Sequence, residues 1–354
     1  MTIWTKALHG VAALAIAGGL VAPAWAENQP DYPAEYAIPS HLATHALLLG
    51  ITEAGDRLVS VGEYGHILYS DDRGETWTQA ENVPTRITLT AVDFANDQVG
   101  WAVGHDAIIL HTTDGGTTWD RQYIDPVLEG EIDPETGDVP TDRTLLTLYV
   151  FDENHVLALG AFSQALETFD GGATWEDREL VVEEVSDDPY YFPEQYHLNG
   201  AFGGPDGSVF VAAEFGVVYR SIDGGLTFEE LQTDYDGSFW GGMGIGDSVI
   251  VFGMRGNLWR SDDLGDTWYD VDSDTNQSLS GGTILDDGTV VIAGLGGAVT
   301  YSYDGGQSFT SVTRPSRTGL AGVAADGEGR VVVIGESGVE YMPNRAEDYA
   351  PEAL

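Results

Sequence analysis

Short apolar runs separated by polar turns dominate the chain. One unit shows the pattern, with runs at Leu89–Phe94, Gly100–Gly104 and Ala107–His111, and another run that begins at Trp119. Runs of four to six residues bounded by Gly, Asp and Asn are typical of β-strands, because an amphipathic helix repeats its apolar positions over ten or more residues. Four such strands in about 40 residues predict one blade of a β-propeller.

The turn before the fourth run occurs six times, with the pattern S/T-x-D-x-G-x-T/S-W/F. The copies span residues 70–77, 112–119, 168–175, 221–228, 261–268 and 302–309. Aspartate accepts hydrogen bonds from nearby backbone N–H groups, glycine supplies positive φ, and the aromatic residue buries area between neighbouring units. We therefore interpret six aspartates as structural: Asp72, Asp114, Asp170, Asp223, Asp263 and Asp304.

The repeats predict an all-β fold, a seven-bladed β-propeller. Blades are expected to begin near Leu47, Leu89, Leu146, Leu198, Trp240, Leu279 and Leu320. The seventh unit lacks the aspartate turn and ends one strand short. We expect residues 36–39 to supply that strand, so that pairing of the N- and C-terminal strands closes the ring and leaves no free sheet edge. Six blades followed by a tail is the alternative.

Residues 1–26 have the features of a secretory signal peptide. Lys6 and His9 precede an apolar run, and Ala24-Trp25-Ala26 places small residues at the cleavage positions. A membrane anchor is the alternative, although the apolar run is short for one. We expect cleavage near Ala26 and export to the periplasm or the extracellular space. One propeller domain is then expected at residues 27–345, with a C-terminal tail at 346–354.

The charge balance restricts the partners. The chain has 58 Asp and Glu residues, Lys6 is its only lysine, and its formal net charge is −44. Nucleic acid and anionic membrane surfaces are therefore excluded as partners, because both repel such a field. The chain contains no cysteine, so disulfides make no contribution to its stability. We expect a monomer adapted to saline surroundings, with a stability that rises with salt.

Three of the arginines occupy equivalent positions, each three residues before an expected inner strand: Arg86, Arg143 and Arg317. Such positions converge around the axis of a propeller, so the three predict an anion site suited to a carboxylate or an acidic peptide. The alternative is that each arginine pairs with a nearby acid. Two loops of the same face are enlarged, residues 123–142 and 179–196, which indicates either a binding surface or tolerated insertions.

The repeated turn is similar to the Asp-box of BNR repeats, which occur in sialidases and in many non-enzymatic propellers. Together with second strands such as Trp101-Ala102-Val103-Gly104, it resembles the Ycf48/Hcf136-like family. The resemblance implies an exported, non-catalytic propeller that binds a protein partner or assists assembly or stability of a membrane complex. That complex is photosystem II for photosynthetic members, and some bacterial relatives are associated with RND-type transporters. Photosynthetic members carry basic patches, and this acidic chain departs from them.

The competing interpretation is a sialidase-like glycoside hydrolase acting on an acidic sugar. Sialidases require an arginine triad, a tyrosine nucleophile with its glutamate, and an acid/base group. The arginine of their F/Y-R-I-P motif is missing from Tyr36-Ala37-Ile38-Pro39. The histidines lack zinc spacing, and Asp133–Asp138 lacks the spacing of known calcium loops. The sequence therefore assigns no catalytic residue, no cofactor and no metal, and it favours a binding protein over an enzyme.

Overall fold

Seven antiparallel sheets follow one another along the chain in the computed structural model, which describes residues 35–124, 143–181, 195–326 and 330–350. Six sheets have four strands and the last has three, and strand order follows chain order in every sheet. The first strands of consecutive sheets contact one another, and the first strand of the last sheet contacts that of the first. The sheets thus form a closed ring, and the prediction of a seven-bladed β-propeller is confirmed.

The strand bounds define the blades. Blades 1 and 2 contain β1 (Leu48–Ala54), β2 (Arg57–Gly62), β3 (Ile67–Ser70), β4 (Thr78–Gln79), β5 (Leu89–Phe94), β6 (Gly100–Gly104), β7 (Ile109–Thr112) and β8 (Asp120–Tyr123). Blades 3 and 4 contain β9 (Leu145–Val150), β10 (Val156–Gly160), β11 (Ala165–Thr168), β12 (Glu176–Asp177), β13 (Leu198–Gly203), β14 (Val209–Ala213), β15 (Val217–Ser221) and β16 (Glu229–Gln232).

Blades 5, 6 and 7 complete the ring. They contain β17 (Phe239–Ile245), β18 (Ser248–Gly253), β19 (Leu258–Ser261), β20 (Tyr269–Asp270), β21 (Leu279–Ile284), β22 (Val290–Gly294), β23 (Ala298–Ser302), β24 (Thr310–Thr313), β25 (Leu320–Ala325), β26 (Arg330–Gly335) and β27 (Gly338–Pro343). The inner strands begin within one residue of the expected positions. The only helical elements in the described ranges are 3-10 turns, at Ala43–His45, Glu63–Gly65, His105–Ala107, Ala161–Ser163, Pro205–Gly207, Met254–Gly256, Leu295–Gly297 and Ala346–Asp348.

The second strand of each blade forms its core. β6, β10, β14, β18 and β22 are buried at every residue, because each lies between two flanking strands and two neighbouring blades. This explains their continuous apolar sequences, since a strand that is covered on both faces does not alternate apolar and polar residues. None of the described helical turns is long and apolar enough to cross a membrane. The expected signal peptide lies outside the described residues, and the domain boundaries stay predictions.

All six aspartate turns, here called Asp turns, contain the same hydrogen bonds. The aspartate Oδ1 accepts from the Ser or Thr hydroxyl two residues earlier at 2.7–2.9 Å and from the backbone N–H four residues later at 2.8–3.0 Å. Its Oδ2 accepts from the hydroxyl of that later residue at 2.6–2.7 Å. Each carboxylate is thus engaged within its own turn, as a structural role requires.

Side chains of one blade reach the Asp turn of the next, and we call these contacts inter-blade clamps. Donors to backbone carbonyls of the following turn are Arg57 to Gly115 (2.8 Å), Gln122 to Gly171 (2.8 Å), Arg178 to Leu226 (2.8 Å), Arg220 to Leu264 (2.6 Å) and Arg260 to Gly305. Blade 7 has no Asp turn, and Tyr301 of blade 6 donates instead to the carbonyl of Pro343 at 2.8 Å.

The ring closes through side chains, which corrects the expected strand exchange. Residues 36–39 form no strand with blade 7; they lie along blade 1, where Ala37 N–H donates to the Val83 carbonyl at 2.9 Å. Blade 7 is joined to blade 1 by Arg330, which pairs with Glu75, and by Tyr341, whose hydroxyl donates to the Gly74 carbonyl. These clamps and the apolar contacts beneath them close the ring without a fourth strand in the described part of blade 7.

We expect the inter-blade clamps to raise the free energy of unfolding measurably, and substitution of Arg220 tests this. Its side chain is 12 % exposed and pairs with Glu229 and Asp266 as well as with the Leu264 carbonyl. Arg220→Gln removes charge-assisted hydrogen bonds, and we expect it to lower the free energy of unfolding by about 2 kcal/mol in urea titrations. Arg73→Gln is the matched control, because its ion pairs are longer, at 3.5 and 3.7 Å, and we expect a loss below about 0.5 kcal/mol. Equal losses of unfolding free energy in the two variants would contradict a stabilising role for the clamp.

The Asp turns also predict a dependence of stability on pH. Hydrogen bonds from the side chain and backbone of Thr227, and then from Ser221, lower the pKa of Asp223 to about 2. Because folding lowers this pKa, the stabilisation is present above about pH 4 and is lost as pH falls towards 2. We expect Asp223→Asn to reduce the loss of unfolding free energy over that interval, measured by urea titration at each pH. Asp247→Asn, at an exposed hairpin turn, should leave the loss unchanged.

Candidate partner-binding face

The strand order gives the ring two distinct faces. In blades 1 to 6, Asp turns join the third strand to the fourth at one end of the blade, and this end of the ring is the Asp-turn face. Turns between second and third strands lie at the other end, beside the loops that lead into each first strand, and together they make up the loop face. Backbone hydrogen bonds connect the two parts of the loop face, as from Ser163 N–H to the Tyr196 carbonyl at 2.7 Å and from Gly216 N–H to the Gly237 carbonyl at 2.8 Å.

The three equivalent arginines lie on the loop face, as their spacing predicts. Arg86 donates from Nε to the Tyr36 carbonyl at 2.9 Å, and its Nη1 lies 3.5 Å from the Glu35 carboxylate. Arg143 lies 2.9 Å from the Asp177 carboxylate. Arg317 is exposed and adopts a left-handed backbone conformation with φ of 56°. Two of the three therefore have an acidic neighbour, which is the alternative that the sequence left open.

The described cavity at the axis contains none of these arginines. Its volume is about 580 Å³, and it is lined by residues of all seven first strands, together with Phe252, without a charged side chain. Hydroxyl and amide groups there bond to the neighbouring blade, as Thr90 does to the Leu145 carbonyl at 2.7 Å and Ser280 to the Leu320 carbonyl at 2.6 Å. Convergence of the arginines into one anion site stays a prediction.

One ionisable pair between the inner strands has shifted pKa values. Burial raises the pKa of Asp93 to about 6, although its carboxylate accepts hydrogen bonds from Phe94 N–H at 2.9 Å and Val150 N–H at 3.3 Å. Burial, and then the charge of Asp93, raises the pKa of Tyr149. A tyrosine nucleophile requires the opposite shift. This pair therefore connects blades 2 and 3 and does not match the tyrosine–carboxylate pair of a sialidase.

The remaining candidates from the sequence lie mostly outside the described residues. The enlarged loops fall largely within 125–142 and 182–194, and the acidic segment Asp133–Asp138 lies wholly within the first of these ranges. Among the residues that the structure describes, no three His, Asp or Glu side chains are grouped to hold a metal ion.

Sequence reasoning missed the clamp arginines. They do not share one position in the repeat, because Arg57 begins a second strand, Arg178 follows a fourth strand, and the other two lie on third strands. The one partial signal is that Arg220 and Arg260 each directly precede the serine of an Asp turn. Their partners belong to the following blade about 45 residues later, as the bonds of Arg220 and Arg260 to Leu264 and Gly305 show. Only the assembled ring brings those groups together.

Comparison with known proteins identifies a family. The sequence profile of the photosynthesis system II assembly factor YCF48 family matches residues 41–136 and 132–236. The photosystem II assembly lipoprotein Ycf48 of Synechococcus sp. (strain CC9902) is 31 % identical over 119 residues, which is 33 % of this chain and 32 % of that protein. The chloroplastic photosystem II stability/assembly factor HCF136 of Cyanidioschyzon merolae is 31 % identical over 93 residues, 26 % and 20 % of the two chains. The chain thus spans about a third or less of these relatives.

Solved structures share the fold over almost the whole chain. YCF48 bound to D1 peptide superposes with a TM-score of 0.62 at 19 % identity, over 89 % of this chain and 98 % of that one. YCF48 from Cyanidioschyzon merolae has a TM-score of 0.60 at 20 % identity, over 91 % and 100 %. The WD40 propeller domain of Doa1 scores 0.62 at 13 % identity, over 90 % and 99 %, so these superpositions establish the fold alone. Because the profile matches span more than half of the sequence, the chain belongs to the YCF48 family of photosynthesis system II assembly factors.

Proposed function

We propose that this protein is an exported, non-catalytic propeller that binds a protein partner and assists assembly or stability of a membrane complex. Membership of the YCF48 family is the observation that carries the proposal. The two curated relatives are named as assembly or stability factors of photosystem II, and one related structure contains a bound D1 peptide. We propose the same kind of activity here, with a protein segment as ligand.

The chemistry of the described residues supports binding over catalysis. The axial cavity, where a propeller enzyme commonly places its catalytic groups, is lined by no ionisable side chain. Arg86 has Glu35 and Arg143 has Asp177 as an acidic neighbour. The six Asp-turn carboxylates are held within their own turns, so none is positioned as an acid/base group.

The same comparison supports a proposal for the location and the partner. The Synechococcus relative is named a lipoprotein, which supports a place at a membrane surface outside the cytoplasm for this chain as well. Its net charge of −44 opposes direct contact with anionic lipid headgroups or nucleic acid. We therefore propose a monomer that is held near the membrane by a protein complex.

Cross-linking in the native cell envelope tests the function. We expect the tagged full-length protein, cross-linked and purified under denaturing conditions, to enrich the subunits of one integral membrane complex, quantified by mass spectrometry. An exported tagged protein of similar charge is the control. Enrichment of soluble proteins only would contradict the assembly role, and turnover of a fluorogenic sialoside by the purified protein would favour the glycosidase.

The predicted anion site is tested separately. The triple variant Arg86→Gln, Arg143→Gln, Arg317→Gln should weaken binding of an acidic peptide about tenfold or more, since it removes three guanidinium groups from the loop face. Calorimetric titration measures this. Arg73→Gln with Arg345→Gln, which removes two guanidinium charges outside the anion site, is the control for the effect of each lost charge. If the triple variant binds the acidic peptide as the wild type does, the anion site is wrong.

A further inference from the structure

Three hairpin turns of the loop face place an aromatic residue where the backbone disfavours one. Tyr64, Phe162 and Phe215 have φ values of 58°, 55° and 55°, and the residue after each also has positive φ. Two-residue turns of this type prefer Asn, Asp or Gly at the first position. The equivalent turns of blades 2 and 6 follow that preference, with Asp106 and Gly296. The turn therefore does not require an aromatic residue, and an aromatic residue at this position strains the backbone.

These aromatic side chains also face solvent. The exposed fractions are 61 % for Tyr64, 51 % for Phe162 and 59 % for Phe215. A core position would explain an apolar side chain in a strained turn, but these positions are not in the core. Backbone strain together with exposed apolar area indicates a surface kept for contact with another molecule.

Two of the three belong to one continuous group across blades 3 and 4. The Phe162 ring lies 4.8 Å from the His197 ring at 86°, and the Phe215 ring lies 5.7 Å from the Tyr196 ring at 48°. The hydrogen bond from Ser163 N–H to the Tyr196 carbonyl fixes the loop against the turn of blade 3. We call Phe162, Tyr196, His197 and Phe215 the aromatic platform.

The charged groups beside the aromatic platform are mainly carboxylates. Glu214 directly precedes Phe215, and its Oε2 accepts a hydrogen bond from His197 N–H at 2.9 Å. Asp234 and Asp236 are exposed on the loop that packs against the same turn through Gly216 N–H and the Gly237 carbonyl. Two described cations lie nearby: Arg255 is on the turn of the next blade, and Arg143 precedes Thr144, whose carbonyl accepts from Ala161 N–H at 2.9 Å, but Arg143 is paired with Asp177 at 2.9 Å. Aromatic faces attract cations, and these carboxylates add to that attraction.

We propose that the aromatic platform binds a basic segment of a partner protein, in which Arg or Lys side chains alternate with apolar ones. The cations lie over the rings of Phe162 and Phe215 and pair with Glu214 or with the Asp234–Asp236 loop. The apolar side chains contact Tyr196. This inference rests on the proposed function, since it names the chemistry of the partner, and its four contact residues do not include the three arginines.

The double variant Phe162→Asn, Phe215→Asn tests the platform. We expect its affinity for a fluorescein-labelled peptide of alternating Arg and Leu, about 12 residues long, to fall about tenfold or more at about 0.15 M NaCl. Fluorescence anisotropy measures the Kd. Asparagine tolerates the left-handed conformation better than phenylalanine, so the Tm should stay the same or rise. Lost affinity with retained Tm separates loss of the site from loss of the fold.

Three controls make the result specific. A Glu/Leu peptide of equal length should bind the wild type and the double variant equally, because the platform does not contribute to binding of an acidic peptide. Ile222→Asn, which removes a 70 % exposed apolar side chain on the Asp-turn face, should bind the basic peptide as the wild type does. If general attraction to the acidic protein explains binding, the double variant retains full affinity and the proposal is overturned. Binding that appears only after residues 182–194 are replaced by a Gly-Ser linker also overturns it, because that segment is then the occupant.

The envelope experiment separates this inference from the proposed function. A double variant that still cross-links to the same membrane complex as the wild type, with unchanged yield, overturns the platform and leaves the function standing. If the wild type itself enriches no membrane complex, the proposed function fails, and the peptide titration alone decides the platform. Selective binding of neutral oligosaccharides at these rings, with no peptide binding, would overturn the proposal as well.

Discussion

The closed Asp turn is the interaction on which the rest of the structure depends. One carboxylate accepts three short hydrogen bonds within its own loop, as Asp114 does from Thr112 and Thr118. This fixes the direction of the backbone carbonyls in the turn, and the preceding blade bonds to one of them. A local turn therefore becomes a contact between blades, and repetition of that contact around the circle produces a ring without disulfides.

The arginines explain how such an acidic chain holds together. Like charges at this density destabilise a compact state through mutual repulsion. The clamp arginines are placed between blades. Arg57, Arg178, Arg220 and Arg260 each bond to a backbone carbonyl and to a carboxylate, and Arg330 bonds to carboxylates. Five of the chain's 13 arginines thus lie at the described seams of the ring, where they offset part of this repulsion.

The turns of the two faces differ in the residue types that occupy positions of positive φ. On the Asp-turn face, glycine takes most positive-φ positions and hydrogen bonds close every turn. On the loop face, aromatic residues occupy positions that Asp106 and Gly296 fill in other blades. A stabilising turn and a recognition surface have different sequence requirements, because recognition places exposed rings where stability favours small or polar residues. The loop face is therefore the better candidate for binding.

The sequence by itself determined the repeat, the number of blades and the starts of the inner strands, because strand period and turn chemistry are local properties. It did not determine how the ring closes: residues 36–39 lie on blade 1, and Arg330 and Tyr341 make the closure. It also missed the clamps and the aromatic platform. It left open whether Arg86, Arg143 and Arg317 converge on one anion site or pair with nearby acids, and the structure gives Arg86 and Arg143 acidic neighbours. Each of these depends on contacts between blades, and a pattern within one blade carries no information about which residues of the next blade it will touch.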